Sequence, residues 1–182
     1  MFNNAAIIHP KKRIINNEKA GFEHVLSVNV TCMFLGMKHA ARVMVPARTG
    51  SIISTTSIAS NIGGAAPHSY TCAKHVIVGL TKNLAVELGQ FGIRVNCMSP
   101  YGMATPMAIN AIGLEGEVVE NMMNSFGNLK GVTLKTDDVD KAALFLGTTF
   151  PRQEGAGRFH RRRVPSMDAG LSLAVVVGDG DK

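Results

Sequence analysis

The chain has 182 residues, 46% of them hydrophobic, which is enough for one domain with a real core and too few to expect two. A formal charge of +6 raises the question of nucleic acid, yet the cations fall into separate clusters, Lys11–Arg13 and His160–Arg163, with no tryptophan and two tyrosines to stack on bases. Solvated basic segments fit this better than a nucleic-acid surface, and three cysteines without ligand spacing (Cys32, Cys72, Cys97) indicate packing rather than a disulfide framework or a metal site.

The opening MFNNAAIIHPKKRIINNEKA lacks the ordered basic, apolar and small-residue regions of a secretory leader, and the chain has no run of about 18 apolar residues, so a cytoplasmic protein without a membrane span is expected. From Glu18 to Val45, apolar residues recur at steps of three and four (Phe22, Val25, Met33, Met37, Met44 among them), which predicts one long amphipathic helix. Asn29 sits in the middle of it, where its side chain competes for backbone hydrogen bonds and needs a reason to be present. Ser51–Ser57 (SIISTTS) is short and β-branched and reads as a strand. A loop with Gly63, Gly64 and Pro67 leads into a second helix, Ser69–Leu88, and IRVNCMSP forms another strand ended by Pro100. Helix, strand, helix, strand argues for parallel strands covered by helices, an α/β sheet. Further on, EGEVVENMMNSF is helical in pattern, and TDDVDKAALFLG offers Thr136 as N-cap, Asp137 and Asp138 in the first turn and Gly147 at the end. Beyond Gly147 the sequence turns polar and basic, with strand-forming residues over 166–178.

Tyr70 and Lys74 stand four residues apart on the second helix, hence on one face about one turn apart. A phenol with a pKa of about 10 is a poor base near neutrality, and an adjacent cation stabilises its phenolate, so the two can act as one proton-transfer unit. A solvated tyrosine and lysine that merely share a face are the plain alternative. In an α/β sheet chemistry gathers at the carboxyl ends of strands, where Ser57, Tyr70 and the segment SPYGMATPM converge.

With these elements in order, the sequence resembles the short-chain dehydrogenase/reductase family. The resemblance rests on NNAA at Asn3–Ala6, Asn29 with a valine after it, Ser57 thirteen residues before Tyr70, Tyr70-x-x-x-Lys74 and SPYGMATPM, over residues 1–147. The wording of FLGMKHAARVM and TKNLAVELGQFGIRVNCMSPYGMATPM is similar to the plant branch acting on alcohols of secondary metabolites. The resemblance implies a three-layer Rossmann-like parallel sheet with flanking helices and an NAD- or NADP-dependent interconversion of a secondary alcohol and a ketone of a small hydrophobic metabolite. NAD is the cofactor it favours. It further implies Tyr70 as general acid/base, Ser57 bonded to the same substrate oxygen, Lys74 lowering the tyrosine pKa and holding the nicotinamide ribose, and Asn29 holding a relay water. Asn3, Ala5, Ala6, Pro100, Gly102 and Thr105 match positions along the cofactor.

The family pattern is also departed from. No G-x-G-x-x-G turn occurs, roughly ninety residues carrying the first βαβ units of a usual member have no counterpart, and Ala6 stands where the family has glycine. The expectation is a partial domain over 1–147 with a divergent tail over 148–182, weakened cofactor binding and a strand Ser51–Ser57 stripped of its inner neighbour. The alternative role is a non-catalytic partner that pairs with itself or with a full-length relative through helices 18–45 and 69–88, whose family counterparts form the subunit interface. Substrate identity is not legible: the variable segment Met107–Leu134 is apolar and rich in methionine.

Overall fold

Two β-branched segments form the middle of the sheet. The computed structural model describes residues 1–127 and 130–148, with the backbone of 171–174, so most of the expected tail lies outside the described residues. Strand β1 (Phe2–Asn3), β2 (Gly50–Thr55) and β3 (Ile93–Pro100) pair in parallel, with Asn3 beside Ser54 and Ser54 beside Cys97. β2 therefore keeps a neighbour along part of its length, contrary to the bare edge expected from the sequence: Ile53 donates its N–H to the Met1 carbonyl at 2.9 Å. A fourth strand, β4 (Leu171–Ala174), runs antiparallel along β3 and is the one departure from a parallel sheet among the described residues, at an edge where mixed pairing is common.

Alternation along the strands divides the core. Ile52 and Val95 face helices α2 (Met33–Ala47) and α3 (His68–Gly89), packing with Met33, Met37, Ile77 and Leu88. Ile53 and Met98 point the other way and meet Val139 and Leu146 of α6 (Thr136–Gly147). Each fully buried aliphatic side chain contributes about 1.5–3 kcal/mol, so both faces of this narrow sheet are stabilised. The layers are tied together by Arg94, whose guanidinium donates to the carbonyls of Leu146 (2.5 Å), Gly147 (3.2 Å) and Thr148 (2.9 Å), and by the Ser51 hydroxyl, which also donates to Leu146 at 3.2 Å, so the end of α6 is satisfied.

The long helix expected over 18–45 is not uniform. It comprises α1 (Lys19–Leu26), a π segment (Ser27–Cys32) and α2, in unbroken succession. Its buried residues Val25, Asn29, Met33 and Met37 are spaced four apart, a spacing that drifts about 40° per step around a regular helix. A wider turn with i→i+5 bonding returns part of that drift and keeps all four facing inward. Two smaller expectations also change. Lys135, not Thr136, caps α6, its N–H donating to the Asp138 carboxylate at 3.0 Å. Cys32 and Cys72 are exposed, leaving Cys97 as the packed cysteine. Helices α4 (Pro106–Ile112) and α5 (Gly116–Phe126) occupy the variable segment, and no helix among the described residues is long and apolar enough to cross a membrane.

Candidate active site

The carboxyl end of β2 carries the first element. After Thr55 the chain turns through Ser57, which is extended and caps a short 3-10 turn, Ile58–Ser60, by accepting the Ala59 N–H on its hydroxyl oxygen at 3.2 Å. With that oxygen occupied by a donor, the Ser57 hydroxyl hydrogen is free to point elsewhere, and Ser57 is hydrogen-bonded to Tyr70. Pro67, as the residue before α3, fixes where the helix starts and so brings Tyr70, in its first turn, over the end of β2.

Lys74 lies one turn further along α3, 1% exposed, with its ammonium 5.2 Å from the Tyr70 ring centroid and donating to the Thr55 carbonyl at 2.8 Å. The expected face-sharing of the pair is thus present, but its electrostatics differ from expectation. Burial raises the Tyr70 pKa, and the opposing effect comes from the Ser57 hydrogen bond rather than from the lysine. Lys74 is itself pushed down to about 8 by burial, because a low-dielectric surrounding penalises its charge and no carboxylate among the described residues compensates. The pair is therefore a protonated phenol beside a cation whose charge burial disfavours.

Asn29 answers the question raised by its position. Its Oδ1 accepts from the Ile7 N–H and its Nδ2 donates to the Ile7 carbonyl, both at 2.8 Å, while the residue is 0% exposed. One Oδ1 lone pair and one Nδ2 hydrogen are thus used on the backbone just past NNAA, and the side chain keeps a second of each. The same clasp places Ala5 and Ala6: Ala5 is exposed, and Ala6 lines a cavity of about 240 Å³ with Ile7, Ile8, Pro10 and the α4 residues Met107, Asn110 and Ala111.

Asn3 is buried under α2, and its Nδ2 has no acceptor among the described residues. Gly36 makes room for it, since a Cβ there would stand 2.5 Å from Asn3 Oδ1. On the neighbouring strand end, Pro100 is buried, Gly102 lies where any Cβ would collide with the Met123 sulfur of α5, and Thr105 caps α4 by accepting the Ala108 N–H at 3.3 Å. These three share no hydrogen bond with Ser57, Tyr70 or Lys74 among the described residues. Sequence reasoning missed Gly36, the Ile7 backbone and the Thr55 carbonyl. An Asn in mid-helix was the only signal for the second, and a small residue on an otherwise bulky helical face was the only one for the first. No group of His, Cys, Asp and Glu among the described residues could hold a metal ion.

Comparison with known proteins gives the family and the fold. A family model described as enoyl-(acyl carrier protein) reductase matches residues 1–150. Secoisolariciresinol dehydrogenase from Forsythia intermedia is 57% identical over 150 residues, covering 81% of this chain and 54% of the relative. Momilactone A synthase from Oryza sativa subsp. japonica is 50% identical over 175 residues, covering 95% and 62% respectively. The chain thus spans little more than half the length of the curated relatives it matches. Among solved structures, levodione reductase superimposes with a TM-score of 0.72 at 31% identity, covering 80% of this chain and 57% of that one. A protein from Beutenbergia cavernae solved with NADP bound at low occupancy shares the fold, at a TM-score of 0.73 and 24% identity. With the Ser57–Tyr70–Lys74 geometry, the Rossmann-like sheet and a family match over most of its length, the chain belongs to the short-chain dehydrogenase/reductase family of oxidoreductases and is similar to its plant secondary-metabolism members.

Proposed function

We propose that this chain carries the proton-transfer half of an NAD(P)-linked alcohol/ketone oxidoreductase site acting on a small hydrophobic metabolite. The observation that carries the reading is the Ser57–Tyr70 hydrogen bond with the buried Lys74 ammonium beside the Tyr70 ring. Tyr70, protonated at neutral pH, donates its proton to a substrate carbonyl oxygen and recovers it in the reverse direction; Ser57 turns its hydroxyl hydrogen to the same oxygen. Lys74 has three donors, of which Thr55 takes one, and the others suit the hydroxyls of a nicotinamide ribose. In this reading Ala5, Ala6, Pro100, Gly102 and Thr105 flank the nicotinamide end, and of these Ala6 lines the cavity of about 240 Å³ beside α4. Asn3 and Asn29 act as positioning residues for the Ala5–Ile7 backbone. A bound dinucleotide supplies the hydride acceptor or donor. The residues present fit that nicotinamide end, while the 182 residues hold no G-x-G-x-x-G turn for the pyrophosphate, so weak binding is expected, with NAD preferred by likeness to the plant relatives.

Titrating the purified chain with NADH and NADPH, with nicotinamide fluorescence as the signal, tests this. Saturable binding that disappears in Lys74→Ala and survives Tyr70→Phe is the expected result, and absence of binding into the millimolar range removes the enzymatic reading for this chain. A second reading, a non-catalytic partner that pairs with itself or with a relative, draws on Phe34, Leu35 and Val43 of α2 and Val76 and Val86 of α3, all 41–73% exposed. Sedimentation of the wild type against Val86→Lys separates it: a shift towards monomer in the variant supports helix-face association.

A further inference from the structure

Behind Ser57 lies a set of buried hydroxyls that the proposed proton transfer does not use. Thr56 is 2% exposed, Ser60 7% and Ser99 1%. The Thr56 hydroxyl donates to the Met98 carbonyl at 2.9 Å and is also in close contact with the Ser99 hydroxyl. Ser99 lies 3.5 Å from the Ser60 hydroxyl, and Ser60 donates to the Ser57 carbonyl at 2.7 Å.

Each of these hydroxyls has one hydrogen, which fixes the sense of the chain. The hydrogen of Thr56 goes to Met98, so the close contact with Ser99 must be donated by Ser99. The hydrogen of Ser60 goes to Ser57, so the longer Ser60 contact is a shared branch of the same Ser99 hydrogen. The Ser57 carbonyl accepts twice from Ser60, from its N–H at 2.9 Å as well as its hydroxyl. That pair of bonds to one carbonyl, together with the Ala59 N–H on the side chain, removes the rotational freedom of the Ser57 peptide and side chain together.

We infer that Thr56, Ser60 and Ser99 form a positioning unit that references the Ser57 hydroxyl to the end of β3 and so holds it against Tyr70. Its functional weight rests on the reading of Ser57 and Tyr70 as reacting groups; its geometry does not. The unit also links the two strand ends of the site, since Ser99 immediately precedes Pro100. Ser57, hydrogen-bonded to Tyr70, is held by the unit through its own carbonyl, so truncating Ser60 acts on Tyr70 through Ser57. An inert set of buried hydroxyls would lower stability when truncated and leave Tyr70 unchanged.

The chain's two tyrosines and absence of tryptophan make the test direct. In a Tyr101→Phe background with isotope-labelled tyrosine, the ring-carbon resonance bearing the Tyr70 hydroxyl reports its hydrogen bonding at neutral pH without substrate or cofactor. Ser57→Ala displaces that resonance; Ser60→Ala is expected to displace it in the same direction by most of that amount, and Ser60→Thr, which keeps the hydroxyl, to restore it. A Tyr70 resonance at the wild-type position in folded Ser60→Ala, or an unmoved one in Ser57→Ala, overturns the inference. Should Ser60→Ala not fold, Ser99→Ala decides: a smaller displacement in the same direction supports the unit, and none overturns it. Failure of dinucleotide binding would leave this outcome untouched, so the two readings fail separately.

Discussion

The two halves of the candidate site are built differently. On the proton-transfer half, Asn29, Tyr70 and Lys74 are buried and each is tied by hydrogen bonds to a strand end or the loop beyond it. On the cofactor half, Ala5 is exposed, Ala6 and Gly102 are half-buried, and the nearest packing partner of Gly102 is a flexible methionine. The first half is specified by directional bonds throughout, whereas on the second only the turn carrying Ala5 and Ala6 is clasped in this way, by Asn29, and Gly102 meets a methionine side chain that adapts to its neighbours. Changes to the first half should therefore be costly, and changes to the second should be absorbed.

Asn29→Ala tests the contrast most strongly. It strands the part-buried N–H and carbonyl of Ile7, and a loss of about 2 kcal/mol is expected for two such groups. Urea unfolding measures it; a loss below about 1 kcal/mol would mean that solvent reaches Ile7 and that the clasp is not specifying the loop. Gly36→Ala comes next, at about 2 kcal/mol, since the new methyl overlaps Asn3 Oδ1, a short side chain held under α2. Asn3→Ala in the same background should recover part of that loss.

A third effect is pH-dependent. Lys74 has a pKa near 8 in the fold against 10.5 otherwise, so above pH 8 the unfolded chain binds more protons and stability rises with pH. Cys97 opposes this as pH nears 9, because its thiol is raised to about 11 by burial, and Tyr70, also raised, opposes it above 10. Between pH 8 and 9 the lysine outweighs the thiol, whose opposition begins in this window, and a net gain of about 0.5 kcal/mol is expected there. Lys74→Met should flatten that window; a slope that persists in the variant would assign it to another group. Gly102→Ala is likewise small, since the Met123 side chain can swing aside, costing under about 1 kcal/mol by thermal unfolding.

The same contrast governs what the sequence made legible. Ile93–Pro100 reads directly as a strand because β-branched and apolar residues run between a glycine and a proline, and α6 reads from its acidic first turn. Tyr70 and Lys74 are local neighbours, so helical periodicity alone places them together. The clasp of Asn29 on Ile7 spans 22 residues and the room Gly36 leaves for Asn3 spans 33, and neither is encoded by local pattern. The direction of the Tyr70 shift was also out of reach, since it depends on how deeply the fold buries the pair. The segment 128–129 and most of the expected tail lie outside the described residues.

The π segment bears on which changes of length the chain tolerates. A π turn within an α-helix holds one residue more than a regular turn, so it behaves as an insertion absorbed without dephasing the turns on its C-terminal side. Deleting Asn29 would let Lys19–Ala47 close into an ordinary helix with Val25 and Met37 still on one face, while Ile7 lost its partner. That extra residue serves both the inward register of the helix and the loop that Asn29 reaches. Length variants at Ser27–Cys32 would thus separate a chain that folds from a chain that keeps its site in order.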